Sequence, residues 1–124
     1  MGTIQTTHDP SRDLTIIKTV GRMKPTEFRK WIADYYSGKV TLLVLWDLTE
    51  ADFSEIQTGH LRDFAAQTKP LAEARKGGKT AIVSENALEF GMSRMLEAFY
   101  DFEGVPFEVQ TFHTIDKAMQ WLCA

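Results

Sequence analysis

The sequence predicts an α/β fold built on a mostly parallel sheet of about five strands, and three observations predict it. An almost unbroken apolar run, Leu42 to Trp46, reads as a central strand covered on both faces. Segments with apolar residues at helical spacing alternate with strand-like segments, and strands separated by helices require parallel pairing through right-handed crossovers. Only the first two strand-like segments have no helix between them, so they form a hairpin. The order is β-β-α-β-α-β-α-β-α, in a single domain spanning residues 1–124.

Thr3 to His8 alternates, with Ile4, Thr6 and His8 on one side, as a weak edge strand does. Asp9-Pro10-Ser11-Arg12 supplies a turn, and Leu14 to Val20 returns as the second strand, ended by Gly21. Pro25 suits the first position of a helix whose Phe28, Trp31, Ile32 and Tyr35 share one face, with Gly38 stopping it in the left-handed conformation. Val40 to Leu48 is the central strand. It is followed by an acidic turn in which Asp52 with Glu55, or Ser54 with Gln57, has capping-box spacing. The next helix carries Ile56, Leu61, Phe64, Ala65, Leu71 and Ala72 along one face, and Pro70 splits it near Thr68. Gly77-Gly78 ends that segment and Lys79 to Ser84 is a short strand. Asn86 and Glu89 cap a helix whose buried stripe is Leu88, Met92, Met95, Leu96 and Phe99. After the turn Gly104-Val105-Pro106, Phe107, Val109 and Thr111 alternate with Glu108 and Gln110 in a final strand. Ile115, Ala118, Met119 and Leu122 mark the last helix.

Composition narrows the function classes. With 124 residues and 44% hydrophobic content the chain supports one ordinary core. A net charge of −3 and a pI near 5.6 exclude a dedicated nucleic-acid surface. The densest basic patch, Arg75-Lys76-Gly77-Gly78-Lys79, reads as a solvated loop. Met1 to Asp13 is polar, so no signal peptide is expected, and no apolar run approaches the length of a membrane span. The single cysteine, Cys123, forms no intramolecular disulfide and fits a cytoplasmic location.

Two segments resemble the SpoIIAA-like group of the STAS superfamily, the fold of anti-sigma-factor antagonists. One is Val44-Leu45-Trp46-Asp47-Leu48-Thr49-Glu50-Ala51-Asp52-Phe53. The other is Gly104-Val105-Pro106-Phe107 through Phe112 with Ile115-Asp116-Lys117-Ala118-Met119-Gln120-Trp121-Leu122. The resemblance covers the chain from about Leu14 onward. It implies helices packed mainly on one face of the sheet and a role in binding rather than catalysis. In the antagonists a kinase phosphorylates the Ser of an Asp-Ser pair at the start of the helix after the central strand. The matching positions here are Glu55 and Ile56, and neither Ser54 nor Thr58 aligns, so the phosphorylation switch is not carried over. Other SpoIIAA-like members resemble lipid-binding CRAL-TRIO domains, which leaves an apolar ligand or membrane contact open.

In an open α/β sheet, ligands gather where strands end and helices begin. The candidate recognition residues are therefore Asp47, Thr49, Glu50, Asp52, Ser54 and Glu55, with Ser84, Glu85 and Asn86 beside them. The four carboxylates read either as oxygen ligands for a divalent cation or as acids favoured near a helix N-terminus, and the second reading is preferred. His8, His60 and His113 lie in distant segments and make no chelating pair, so no metal and no cofactor are expected. Phe90, Tyr100 and Phe102 lie off the predicted stripe of their helix and are candidates for an apolar groove. The expected function is a non-enzymatic binding module that recognises a protein partner or a second copy of itself. The alternative is a carrier or sensor of a lipid-like ligand, possibly membrane-associated.

Overall fold

A computed structural model describes residues 2–124; Met1, where the polar N-terminal stretch begins, lies outside the described residues. The strands are β1 (Thr3–Asp9), β2 (Leu14–Arg22), β3 (Leu43–Asp52), β4 (Lys79–Val83) and β5 (Glu108–Phe112). The helices are α1 (Pro25–Ser37), α2 (Thr58–Thr68), α3 (Ala87–Glu103) and α4 (Ile115–Leu122). The sheet order is β1-β2-β3-β4-β5, antiparallel between β1 and β2 and parallel elsewhere. Both the hairpin and the repeated βα units are therefore as expected.

Side chains alternate across the sheet, and each face has its own core. Ile17, Val44, Trp46, Leu48 and Ile82 meet Phe28 and Ile32 of α1, Leu61 and Phe64 of α2, and Met92 and Leu96 of α3. Leu14, Leu45, Ala81 and Val83 point the other way and are covered by Ala118 and Leu122 of α4. Three helices on one face and one on the other match the expectation of helices mainly on one side. Pro70 ends α2 at Thr68, and the chain continues as a 3-10 segment, Lys69–Arg75.

Several local expectations are corrected. Gly38 leaves α1 in an extended conformation with φ −107°, whereas Gly104 does close α3 in the left-handed region at φ 70°. The strand expected from Val40 begins at Leu43 and runs on to Asp52. Leu71 is exposed, while Arg75, expected in a solvated loop, is 2% exposed. Its guanidinium donates to the carbonyls of Thr41 (2.8 Å), Leu42 (3.0 Å) and Lys79 (3.1 Å), to Thr80 Oγ1 (2.9 Å) and to Tyr36 Oη (3.4 Å). All the N–H donors of an arginine are thus used. The ring of Phe107 lies 4.3 Å beneath the charge.

The buried stripe of α3 is Glu89, Met92, Ser93, Leu96 and Tyr100, rotated by roughly 70° from the predicted one. Leu88 and Met95 face solvent. Tyr100 belongs to the core, and burial pushes its hydroxyl pKa up to about 12, offset in part by a hydrogen bond with Thr68. A phenol whose folded pKa is raised adds stability that is present below its ordinary value of 10.0 and is lost as pH rises through about 12. Unfolding free energy measured by denaturant is expected to decline over that interval, and to decline less in Tyr100→Phe.

Candidate functional site

The strand β3 outlasts its neighbour β4. Asp47 pairs with Val83, the last residue of β4, so Thr49 to Asp52 extend beyond it and pair only with the end of β2, up to Arg22 opposite Asp52. Between Asp47 and Glu50 β3 takes one residue more than β2 takes between Lys18 and Val20. This bulge keeps the apolar phase: Trp46 and Leu48 face the larger core before it, and Ala51 and Phe53 face the same core after it. Asp47 holds the bulge, since its Oδ1 accepts the Thr49 amide at 3.0 Å and the Thr49 hydroxyl at 2.7 Å.

The acids on this extension are partly answered by β2. Lys18 Nζ lies 2.6 Å from Glu50 Oε2, and Arg22 Nε lies 3.7 Å from Asp52 Oδ2. The hydrogen bond to Glu50 holds the Lys18 ammonium above its ordinary pKa. Asp52 Oδ1 accepts the Ser54 amide at 2.8 Å, and this bond is the main reason its pKa lies below the usual carboxylate value. Neither predicted capping box forms, because the chain stays extended to Asp52 and turns through Ser54 and Glu55 before α2 begins at Thr58. The cap is instead His60, whose Nδ1 accepts the Gln57 amide at 2.9 Å.

Glu89 fastens this turn to the rest of the molecule. It is 5% exposed in the first turn of α3, and its Oε2 accepts the Phe53 amide at 3.0 Å. That bond ties the turn carrying Ser54 and Glu55 to the first turn of α3, which Glu85 and Asn86 precede in the chain. Sequence reasoning took Glu89 as a local cap; the residue it serves lies 36 positions away. Glu89→Ala is expected to cost about 2 kcal/mol, the range for a buried hydrogen bond to a charged group. The check is hydrogen exchange, with the Phe53 amide losing its protection first.

The remaining candidates fall into two sets. Glu50, Ser54, Glu55, Glu85 and Asn86 are exposed. Ser84 is fully enclosed, its Oγ 3.1 Å from Ser93 Oγ, so its side chain belongs to the packing beneath the surface. Among the described residues neither Glu55 nor Glu85 forms an ion pair, and no group of three or more metal-ligating side chains occurs. No helix among them is long and apolar enough to cross a membrane.

The predicted apolar groove does not form. Positions 100 and 102 lie about 280° and 120° around the helix from position 90, so the three rings point in different directions. Tyr100 is in the core, Phe90 stacks on His113 at 3.9 Å, and Phe102 stands alone at 85% exposure. The two spaces lined by core aromatics measure about 20 and 10 Å³, the scale of one water molecule or less. A depression of about 820 Å³ lies at the opposite end of the sheet, lined by residues such as Leu43 and Cys123.

This architecture is shared with solved structures. One is an uncharacterised protein of the DUF3478 family with a SpoIIAA-like fold, from Shewanella loihica PV-4. It aligns at a TM-score of 0.59 and 19% identity, over 98% of this chain and 93% of that one. The fold is SpoIIAA-like. An anti-sigma factor antagonist from Mycobacterium paratuberculosis aligns at a TM-score of 0.54 and 14% identity, over 98% of this chain and 94% of its own. No protein-family model and no curated protein matches the sequence.

Proposed function

We propose that this SpoIIAA-like chain is a non-enzymatic regulatory module that binds a protein partner through the acidic rim at the end of β3. The observation that carries the reading is Glu55 and Glu85, exposed and without ion pairs among the described residues, on turns that the Glu89–Phe53 bond joins. A rim whose backbone is tied by Asp47, Asp52 and Glu89 loses little entropy on binding and offers its free carboxylates to a basic surface. One structural neighbour, from Mycobacterium paratuberculosis, is an anti-sigma factor antagonist, a related role. The hydroxyls and carboxylates best placed for proton transfer, Thr49 with Asp47 and Ser84 with Ser93, are instead engaged in holding backbone and packing. The lipid-carrier alternative would need an apolar space much larger than those the core contains.

The test is the double charge reversal Glu55→Lys with Glu85→Lys. Both side chains are exposed, so melting temperature is expected to move by no more than a degree or two. Capture of the partner from host lysate is expected to fall by about tenfold or more, with the residual binding insensitive to salt. Undiminished capture would refute the reading.

A further inference from the structure

The solvent face of α3 carries an apolar seam that nothing among the described residues covers. Leu88, Gly91, Met95, Ala98 and Phe102 recur at i, i+3, i+7, i+10 and i+14, the spacing of two coiled-coil heptads. All five are exposed, the large ones by 54% at Leu88, 37% at Met95 and 85% at Phe102. Large residues occupy one heptad position and small residues the other.

Gly91 is the second observation. Glycine inside a helix costs roughly 1 kcal/mol relative to alanine. Here a Cβ would meet nothing within 4 Å, and Gly91 is not among the glycines of positive φ. No contact within the chain requires it. A glycine at such a place does permit another backbone or a bulky side chain to approach from outside.

We propose that α3 is the contact of a two-fold symmetric homodimer in which the two copies of this helix pack antiparallel. A dyad passing between Met95 and Ala98 sets Met95 against the partner's Ala98 and Phe102 against the partner's Gly91, so that these two large side chains each meet a small residue, while Leu88 falls opposite the partner's Val105, past the end of its helix. The charges beside the seam agree with the same register. Arg94, held among the described residues only by Glu97 at 3.8 Å, comes into the same turn as the partner's Asp101, and the symmetry makes this pair twice. A second copy is thus matched in size and in charge by one arrangement. This contact lies on the outer face of α3 and does not depend on the acidic rim, so the two readings stand or fall separately.

Sedimentation equilibrium of the whole chain, from about 1 μM to about 1 mM, tests it. The wild type is expected to dimerise with rising concentration. Gly91→Leu is expected to remain folded, with an equal or higher melting temperature, and to stay monomeric because it closes the space for the partner's Phe102. Arg94→Asp alone is expected to weaken association by about tenfold or more, and combining it with Asp101→Arg to restore it. A wild type that stays monomeric to the highest concentration would overturn the proposal. So would a dimer indifferent to Gly91→Leu, or a charge swap that fails to rescue.

Discussion

Arg75→Ala is expected to lower the unfolding free energy by about 3–5 kcal/mol, a fall in melting temperature of roughly 10–20 °C for a chain of this size. Among the described residues Arg75 pairs with no carboxylate. Its role is geometric: the planar fork gathers the carbonyls of Thr41 and Leu42, ahead of β3, and of Lys79, at the start of β4. Removing it strands those acceptors beside Thr80 and leaves a hole over the Phe107 ring. Arg75→Lys keeps the charge but not the fork, and is expected to recover less than half of the loss. Thermal unfolding of both variants checks this. A loss under about 1 kcal/mol for the alanine variant would mean that water replaces the guanidinium at no great cost.

Phe28→Ala comes next, at about 3–5 kcal/mol. The ring is 2% exposed and lies 5.6 Å from Trp46, 5.4 Å from Phe53 and 5.5 Å from Phe64, centroid to centroid. The first two contacts are edge-on, the arrangement aromatic quadrupoles favour. One side chain thereby joins α1 to β3, to the turn after β3 and to α2. Loss of the ring removes buried area and leaves a cavity that three large neighbours cannot easily close. Phe28→Leu is expected to cost about 1–1.5 kcal/mol, since it retains most of the volume. Urea unfolding should show a lower midpoint with an unchanged slope. A lower slope would point to a loosened native state instead.

Element order and type were legible because they rest on periodicity, which is local. The helical faces of α1 and α4 and the continuous run of β3 follow directly from the spacing of Phe28, Ile32 and Tyr35, of Ala118 and Leu122, and of Val44 to Trp46. The length of β3 was not legible. At the bulge two residues, Thr49 and Glu50, face outward in succession, which breaks the alternation and looks like a loop. Asp47 and Asp52, each bonding the amide two residues on, carry the same residue types as a helix cap. In α3 the seam Leu88-Met95-Phe102 competed with the inner stripe, whose Glu89 and Ser93 are polar, so the more apolar arc was taken for the buried one. Arg75 sits in a run of charge and glycine that reads as solvated, and its burial is decided by carbonyls from more than 30 positions away.

The junction between β3 and α2 was legible in the sequence, but how it is built was not. The exposed acids Glu50, Glu55 and Glu85 lie where a strand-to-helix turn was expected. Their restraints come from Lys18, Arg22 and Glu89, whose involvement depends on the register between β2 and β3 and on how α3 meets the turn. Strand register alone points only to Arg22 opposite Asp52, since Lys18 stands opposite Asp47 and reaches Glu50 across the bulge.

Site-specific photocrosslinking in host cells tests the central claim most directly. A photoreactive amino acid placed at Glu55 samples the rim, and one at Thr7 on the edge strand β1, also exposed, serves as the control. The acidic-rim account predicts a discrete adduct with a protein of basic surface from position 55, lost when Glu85→Lys is added, and none from position 7. No adduct at 55, or the same adducts at both positions, would contradict it.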